Sequence, residues 1–464
     1  MLEPLHVGTR VHFMGIGGYG INPIARVMHE LGYAVSGCDL NESPLIAPLR
    51  EAGIPVEIGH NPAHLDLYMP QALVISSAIP PDNREVWAAV ERGIPVFKRA
   101  DILGELMQQR FGIAIAGTHG KTTTTAMTVS ALVGCGQDPT FIVGGVLRDL
   151  GTNARAGGGA AFVIEADEYD RMFMGLCPRI AVITTIEMDH PDMFASLADV
   201  RALFEEFAAL LPEDGLLIGG HDNEEARRIT EGRRAQGLPA VTYGLLGGDW
   251  TASDALPNQR GGMDFVACYG GQPLVEVSLL VPGMHNVQNA LAALAVADAL
   301  HLPLEQAAAA LGSFSGVGRR FELRGEAQGV VIIDDYAHHP TAIRATLAAA
   351  RLRYADCPIW AVWQPHTYSR TKALLDEFAA SLSEADHVII TDVYRSRDVE
   401  TFGIGPEDVL ARMGYHRDAR HIGDLQAVVE FLALNVRPGD VVIVMSAGDA
   451  TAISDGLLAA LGGE

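Results

Sequence analysis

From Val11 to Met445, short apolar runs alternate with longer amphipathic stretches almost without a break. A chain of this rhythm is bound to parallel sheets covered by helices, because successive parallel strands need a crossover long enough to form a helix. The apolar runs are Val11–Met14, Ala34–Cys38, Ala72–Ser76 and Pro95–Lys98, then Gly112–Ala116, Ala161–Glu165 and Ile180–Ile186. A last group follows at Val330–Asp334, Ile359–Trp363, His387–Thr391 and Val441–Met445. Helices are expected through about Leu31 after the first run, then near Asp101–Gln109, Ala198–Leu211, Asn289–Leu300 and Leu304–Leu311. The stretch from about Gly244 to Leu280 reads as irregular β. At roughly 150 residues per domain, 464 residues suit about three domains. Boundaries near Arg110 and in the loop Ser313–Gly318 give 1–110, 111–317 and 318–464.

Charge narrows the partners. Thirty-three Lys and Arg against 57 Asp and Glu leave a net charge of −24, which excludes nucleic acid as the main partner because phosphate backbones need clustered cations. Anions can still bind where backbone amides and a few local cations converge. The five cysteines (Cys38, Cys135, Cys177, Cys268 and Cys357) are widely spaced and form no C-x-x-C pair, so neither a disulfide framework nor a zinc knuckle is expected and a reducing cytoplasm fits. Met1–Pro4 has no basic segment leading into an apolar one, so no signal peptide is expected. No apolar run approaches the ~18–20 residues of a membrane span, and no membrane partner is expected.

Two glycine-rich turns sit between a strand and a helix. Gly15-Ile16-Gly17-Gly18-Tyr19-Gly20 matches G-x-G-x-x-G, with Asp39 nineteen residues past the last glycine. Such a turn lets the backbone approach a diphosphate, and it suits a uridine diphosphate as well as NAD. Ala116-Gly117-Thr118-His119-Gly120-Lys121-Thr122-Thr123 ends as a P-loop does. There, amides cradle phosphates, the lysine reaches the terminal ones and a threonine hydroxyl holds Mg²⁺. It falls short of a full Walker A motif, since Ile115 stands where the first glycine belongs.

Acidic groups follow at strand ends, where open α/β sheets place ligands: Glu165-Ala166-Asp167-Glu168-Tyr169-Asp170 and Glu187-Met188-Asp189-His190. Alone they would read as solvated loops; beside a phosphate loop they are oxygen ligands for Mg²⁺, with His190 as an additional donor. Later segments are His285-Asn286-Val287-Gln288-Asn289, Gly318-Arg319-Arg320-Phe321-Glu322, Asp334-Asp335-Tyr336-Ala337-His338-His339-Pro340 and Gln364-Pro365-His366-Thr367-Tyr368-Ser369-Arg370. Asn amides read a purine edge or cap a helix, with Asn289 open to the second role. Paired arginines stabilise phosphoryl charge or make surface ion pairs.

In order and spacing, these segments together resemble the Mur ligases, ATP-dependent amino-acid-adding enzymes of peptidoglycan precursor synthesis, over nearly the whole chain. Ser446-Ala447-Gly448-Asp449 and Ser76-Ser77-Ala78-Ile79 add to the likeness. The resemblance implies an α/β protein of three domains: a Rossmann-like N-terminal domain, a central P-loop ATPase domain with a mostly parallel sheet, and a Rossmann-like C-terminal domain. It implies ATP and Mg²⁺ as cofactors and, in the subgroup most like this chain, transfer of L-alanine to the carboxylate of UDP-N-acetylmuramate through an acyl phosphate. Joining of the tripeptide L-Ala-γ-D-Glu-meso-diaminopimelate to the same sugar is the alternative; an NAD-dependent oxidoreductase or a non-catalytic nucleotide-binding protein is more remote. By the same likeness the protein is cytoplasmic, a monomer or homodimer, and its partners are small molecules.

Residue by residue, the resemblance assigns the UDP-sugar to Gly15, Gly17, Gly18, Asp39, Ser76 and Ser77. Nucleotide contacts fall to Gly117, Thr118, His119, Gly120, Lys121, Thr122 and Thr123, to Asn286 and Asn289 at adenine, and to Arg320 and Asp335 from the domain junction. Thr122, Glu165, Glu168 and His190 hold the metal. Tyr336, His338 and Arg370 hold the amino acid, with Arg370 on its carboxylate, and Lys121, His190, Arg320, Asp335 and His338 carry the chemistry. Two positions depart from the family: Phe204 stands where several members carry a carbamylated lysine, and Thr367 where some have arginine.

Overall fold

A computed structural model describes residues 5–80, 82–396 and 398–462. Met1–Pro4, the basis of the signal-peptide reading, lie outside them, as does Pro81 after the third apolar run. The first sheet holds β1 (Arg10–Met14), β2 (Ala34–Asp39), β3 (Val56–Ile58), β4 (Ala72–Ile75) and β5 (Val96–Lys98), ordered β3-β2-β1-β4-β5 and parallel throughout. The winding reverses between β1 and β4, which opens a crevice beyond their carboxyl ends.

The second sheet comprises β6 (Phe111–Ala116), β7 (Thr140–Leu147), β8 (Thr152–Arg155), β9 (Ala161–Glu165), β10 (Ile180–Ile183), β11 (Leu216–Gly220), β12 (Ala240–Tyr243), β13 (Trp250–Pro257), β14 (Met263–Tyr269) and β15 (Gln272–Ser278). Its order is β15-β14-β13-β12-β11-β10-β6-β9-β7-β8. Strand β6 lies between β9 and β10, parallel to both, so the loop after Ala116 emerges beside Glu165 and the end of β10. The irregular-β stretch is an antiparallel meander, β13–β15, whose period-2 pattern is interrupted by register shifts, one of them around Asp254 at φ 53°.

The third sheet holds β16 (Glu322–Ala327), β17 (Val330–Asp335), β18 (Ile359–Trp363), β19 (His387–Ile390), β20 (Ala419–His421) and β21 (Val441–Met445), ordered β16-β17-β21-β18-β19-β20. Only β16 runs antiparallel, joined to β17 by Gln328 and Gly329, both at positive φ as a two-residue hairpin turn requires.

Two of the differences from the expected element bounds bear on the site. Strand β10 stops at Ile183, because Thr184–Asp189 leave the sheet to line the site. The helix expected from Asn289 begins at Met284, with Gly283 at φ 94° as its N-cap, so Asn289 is an interior residue rather than a cap. Apolar packing is continuous from the first sheet into the second, running through Phe13, Ile24, Leu103, Met107, Phe162 and Phe207. Arg26 adds hydrogen bonds to Thr152, Asn153 and the Ala154 carbonyl at 2.8–2.9 Å. Among the described residues, no helix is long and apolar enough to cross a membrane.

Candidate active site

At the first crevice, the glycine turn folds against β2. Gly15 and Ile16 donate to the Cys38 carbonyl at 2.8 and 3.2 Å, and Gly18 donates to Gly15. Gly17 donates to Asp39 Oδ2 at 2.9 Å, while Ser43 Oγ donates back to the Gly17 carbonyl. Gly15 has φ +79°, and a Cβ there would lie 2.9 Å from Ser76 Cβ. Gly15, Gly17, Gly18, Asp39 and Ser76 are thus brought together; Ser77 follows on the exposed rim. The amides of Gly15–Gly18 all point at protein acceptors, and Asp39 braces the turn. That carboxylate is therefore engaged where a dinucleotide enzyme would offer it to a ribose.

Beyond β6, Thr118 N–H donates to the Thr185 carbonyl at 2.7 Å and His119 N–H to Thr185 Oγ1 at 3.0 Å. Gly120 at φ 80° turns the chain into the helix Lys121–Gly134. Lys121 Nζ folds back onto the Gly117 carbonyl and pairs with Glu168 at 2.9 Å. Burial works against the Lys121 charge, but Glu168 and Asp167 outweigh it and hold the ammonium above its ordinary range. Burial pushes the Glu168 carboxyl up to about 7, with Lys121 opposing.

The four predicted metal ligands form two pairs. Thr122 Oγ1 donates to Glu165 Oε1 at 2.9 Å, and Glu165 Oε2 accepts the Gly144 amide. His190 Nε2 lies 3.9 Å from Glu168 Oε1; its φ of 53° is left-handed, uncommon outside glycine, and burial keeps its imidazole below the usual range and so neutral. The hydroxyl and carboxylate of the first pair are hard oxygen donors that suit Mg²⁺. Phe204 is fully buried edge-on to Phe173, 5.5 Å between ring centres, so its position is part of the core.

The third sheet closes over this loop. Arg320 Nη2 donates to Thr122 Oγ1 at 3.1 Å, and both Arg319 and Arg320 lie over the Tyr336 ring at about 5 Å. Asp335 accepts the Phe321 and Ala337 amides at 2.9 and 2.8 Å and so fixes the turn carrying Arg320. Burial raises the Asp335 carboxyl, with Arg320 opposing. His338 Nδ1–H donates to the Tyr336 carbonyl at 2.7 Å. Burial, reinforced by Arg370, keeps His338 neutral, leaving Nε2 as an acceptor.

Arg370 is not free to meet a carboxylate with its whole fork, as expected of an amino-acid anchor. It is 2% exposed, donates from Nε to Asp189 Oδ1 at 2.8 Å and lies 3.1 Å from His366 Nδ1. Thr367 caps its helix by accepting the Arg370 amide, despite a φ of 67°.

Between these parts lies a cleft of about 320 Å³, lined by Gly120, Thr122, Asp222, Asn286, Arg320 and Asp335 among others. Asn286 and Asn289 reach its wall, but their amides bond to the Pro282 carbonyl and to each other, and Asn289 Oδ1 accepts Thr124. Two residues with no individual role in the sequence-based site are equally central. Glu187 accepts His119 Nε2 at 3.2 Å and Thr341 Oγ1 at 2.7 Å; burial opposes its ionisation, yet His119, Thr341 and His339 bring the carboxyl down to about 2. Asp222 accepts Gln288 and the Leu245 and Leu246 amides. Its place after β11 was the available signal, because strand ends in such sheets face the ligand.

Comparison with known proteins agrees with this geometry. Residues 10–111 match the Mur ligase family catalytic domain, 115–297 the Mur ligase middle domain and 319–448 the Mur ligase glutamate ligase domain. The chain is 43% identical to the UDP-N-acetylmuramate–L-alanine ligase of Geotalea daltonii, across 95% of each. The solved UDP-N-acetylmuramate-alanine ligase of Thermotoga maritima superimposes with a TM-score of 0.80 at 29% identity, covering 97% of this chain and 98% of that one. A murein peptide ligase from Psychrobacter arcticus gives 0.70 at 28%, covering 98% and 99%. With its three domains matched in order and its full length shared with these relatives, the chain belongs to the Mur ligase family.

Proposed function

We propose that the protein joins L-alanine to the carboxylate of UDP-N-acetylmuramate, with ATP converted to ADP and phosphate. The carrying observation is Arg320 of the third sheet bonded to Thr122 of the loop after β6, which makes one cleft from two domains and suits a nucleotide whose terminal phosphate is transferred there. The first crevice, braced by Asp39 and flanked by Ser76, is the site for the UDP-sugar, and the third domain receives the amino acid.

A carboxylate is a poor acyl donor, so its oxygen attacks the terminal phosphorus and ADP leaves, giving an acyl phosphate. Lys121, released from the Gly117 carbonyl, and Arg320 face the charge that builds on the transferring group. Thr122 and Glu165, with His190 and Glu168 as the second pair, would hold Mg²⁺, whose role is to neutralise phosphate charge. The neutral amine then attacks the acyl carbon, a tetrahedral intermediate forms, the nitrogen gives up one proton to solvent, and collapse expels phosphate. Nε2 of His338 accepts a hydrogen bond from the incoming amine, Tyr336 walls the pocket, and Arg370 presents the edge left by Asp189.

Phosphate release from Mg-ATP tests this reading. Release is expected only with UDP-N-acetylmuramate and L-alanine together; preference for the tripeptide would reassign the protein to recycling, and no release with either would overturn the ligase reading. The glycine turn gives a second test. A Cβ at Gly17 would lie 2.8 Å from Ser43 Oγ and 3.0 Å from both Asp39 Oδ2 and Ile46 Cδ1. Gly17→Ala must displace the Ser43 hydroxyl and crowds Asp39 and Ile46, and forced local rearrangement costs about 1–3 kcal/mol. The expected result is a KM for the UDP-sugar raised about tenfold or more with KM for ATP unchanged, read from steady-state kinetics.

A further inference from the structure

We propose that the first domain carries a closed binding site for a divalent transition ion, zinc above all, made by His12, Cys38, His64 and Glu85 and separate from the nucleotide cleft. The sheet register builds it. His12 on β1 pairs with Ser36 on β2, and Cys38, two residues further along β2, faces the same side. His64 opens the short helix His64–Tyr68, and Glu85 lies in the first turn of the helix Arg84–Glu91 capped by Asn83. One ligand atom from each of the four lies within 4.8 Å of the others.

The spacings from the Glu85 carboxylate fall in the range of a coordination shell, and the other ligand atoms lie within 4.8 Å of one another. His12 Nε2 and His64 Nδ1 stand 3.3 and 3.1 Å from Glu85 Oε1, and Cys38 Sγ stands 3.6 Å from Oε2. Metal–ligand bonds of about 2.0–2.3 Å in a tetrahedron put ligand atoms about 3.3–3.7 Å apart. Burial is complete for His12, Cys38 and Glu85, and His64 is 9% exposed. His12 Nδ1 is 2.8 Å from Ser36 Oγ, so its other nitrogen is aimed into the cluster. That nitrogen meets Glu85 Oε1 at 3.3 Å in a contact that falls short of full hydrogen-bond geometry. A buried nitrogen held against a carboxylate in so poor a contact is an arrangement that an ion between them would complete, with Ser36 orienting the ring from behind. Thiolate and imidazole select Zn²⁺ over Mg²⁺. On binding, the Cys38 thiol proton leaves to solvent as the sulfur–metal bond forms. Because the Cys38 carbonyl accepts the Gly15 and Ile16 amides, the ion would anchor the glycine turn from the rear.

The test titrates the full-length, chelator-treated protein with Co²⁺ in excess Mg²⁺, which occupies the nucleotide cleft. One tightly bound Co²⁺ with a near-ultraviolet sulfur-to-cobalt charge-transfer band, displaced by Zn²⁺, is expected. Cys38→Ser should abolish the band and Cys268→Ser should leave it. Ser36→Ala should weaken binding about 10–100-fold, and His64→Gln, at the more open edge, serves if Cys38→Ser does not fold. No bound Co²⁺, or a band that survives Cys38→Ser or His64→Gln, would overturn the site and leave a hydrogen-bonded cluster; neither result bears on ligase activity with Mg-ATP.

Discussion

Lys121→Ala is expected to lower kcat for ATP-dependent phosphate release about 10²–10³-fold, the loss typical of removing one preorganised donor to a developing charge. The fold should survive, and the reason lies in Glu168. A carboxyl already lifted to about 7 by burial has its ionisation opposed by folding, so the neutral form is favoured at every pH below that value. Without the ammonium beside it, the group is pushed further toward that form and takes up a proton rather than remaining as a buried anion. The deficit therefore belongs to the chemical step. Thermal unfolding within a few degrees of the parent, with kcat collapsed, is the expected pairing; kcat within about threefold of the parent would remove Lys121 from phosphoryl transfer.

Arg370→Ala has the second large effect, by a different route. Arg370 and Asp189 are 2% and 7% exposed, and taking one partner from a buried ion pair costs about 3–5 kcal/mol because the other is left uncompensated. Burial opposes the Asp189 charge, but the Arg370 guanidinium beside it holds the carboxyl well below its ordinary range. A lowered carboxyl contributes its stabilisation above the unfolded pKa and loses it only as pH falls through the folded one, so the parent keeps this contact throughout the neutral range. In the variant, kcat/KM for the amino acid should fall about 10²–10³-fold. Arg370→Lys should recover only part, since a point charge cannot meet Asp189 and His366 together. Adding Asp189→Asn to Arg370→Ala should cost less than the sum of the single changes; strict additivity would sink the pairing argument.

How far the sequence discloses the site depends on whether the chemistry is local. The turns at Gly15–Gly20 and Gly117–Thr123 are legible because strand, glycines and helix start lie within one short segment. Asp39 and Ser76 are legible as strand ends. The jobs of Glu187 and Asp189 were hidden, since Thr341, His339 and Arg370, which define them, are far along the chain and meet them only when the third sheet closes. Asn289 misled because a side chain able to cap a helix was read as its start, whereas Gly283 takes that place. The meander after Gly244 was blurred by register shifts that break strand alternation. His12, Cys38, His64 and Glu85 have no sequence signature at all: only the pairing of β1 with β2 and two helix starts bring them together.

The apolar packing that runs unbroken from the first sheet into the second stops there; among the described residues, no hydrophobic cluster bridges the second and third. What joins those two is Arg320 with Thr122, Thr341 with Glu187, His339 with the Met188 carbonyl, and Arg370 with Asp189. The first two domains thus share one apolar core. The third is held to them by directional polar contacts rather than by a shared oily surface, so parting it would expose polar groups, the buried Arg370–Asp189 pair the costliest among them.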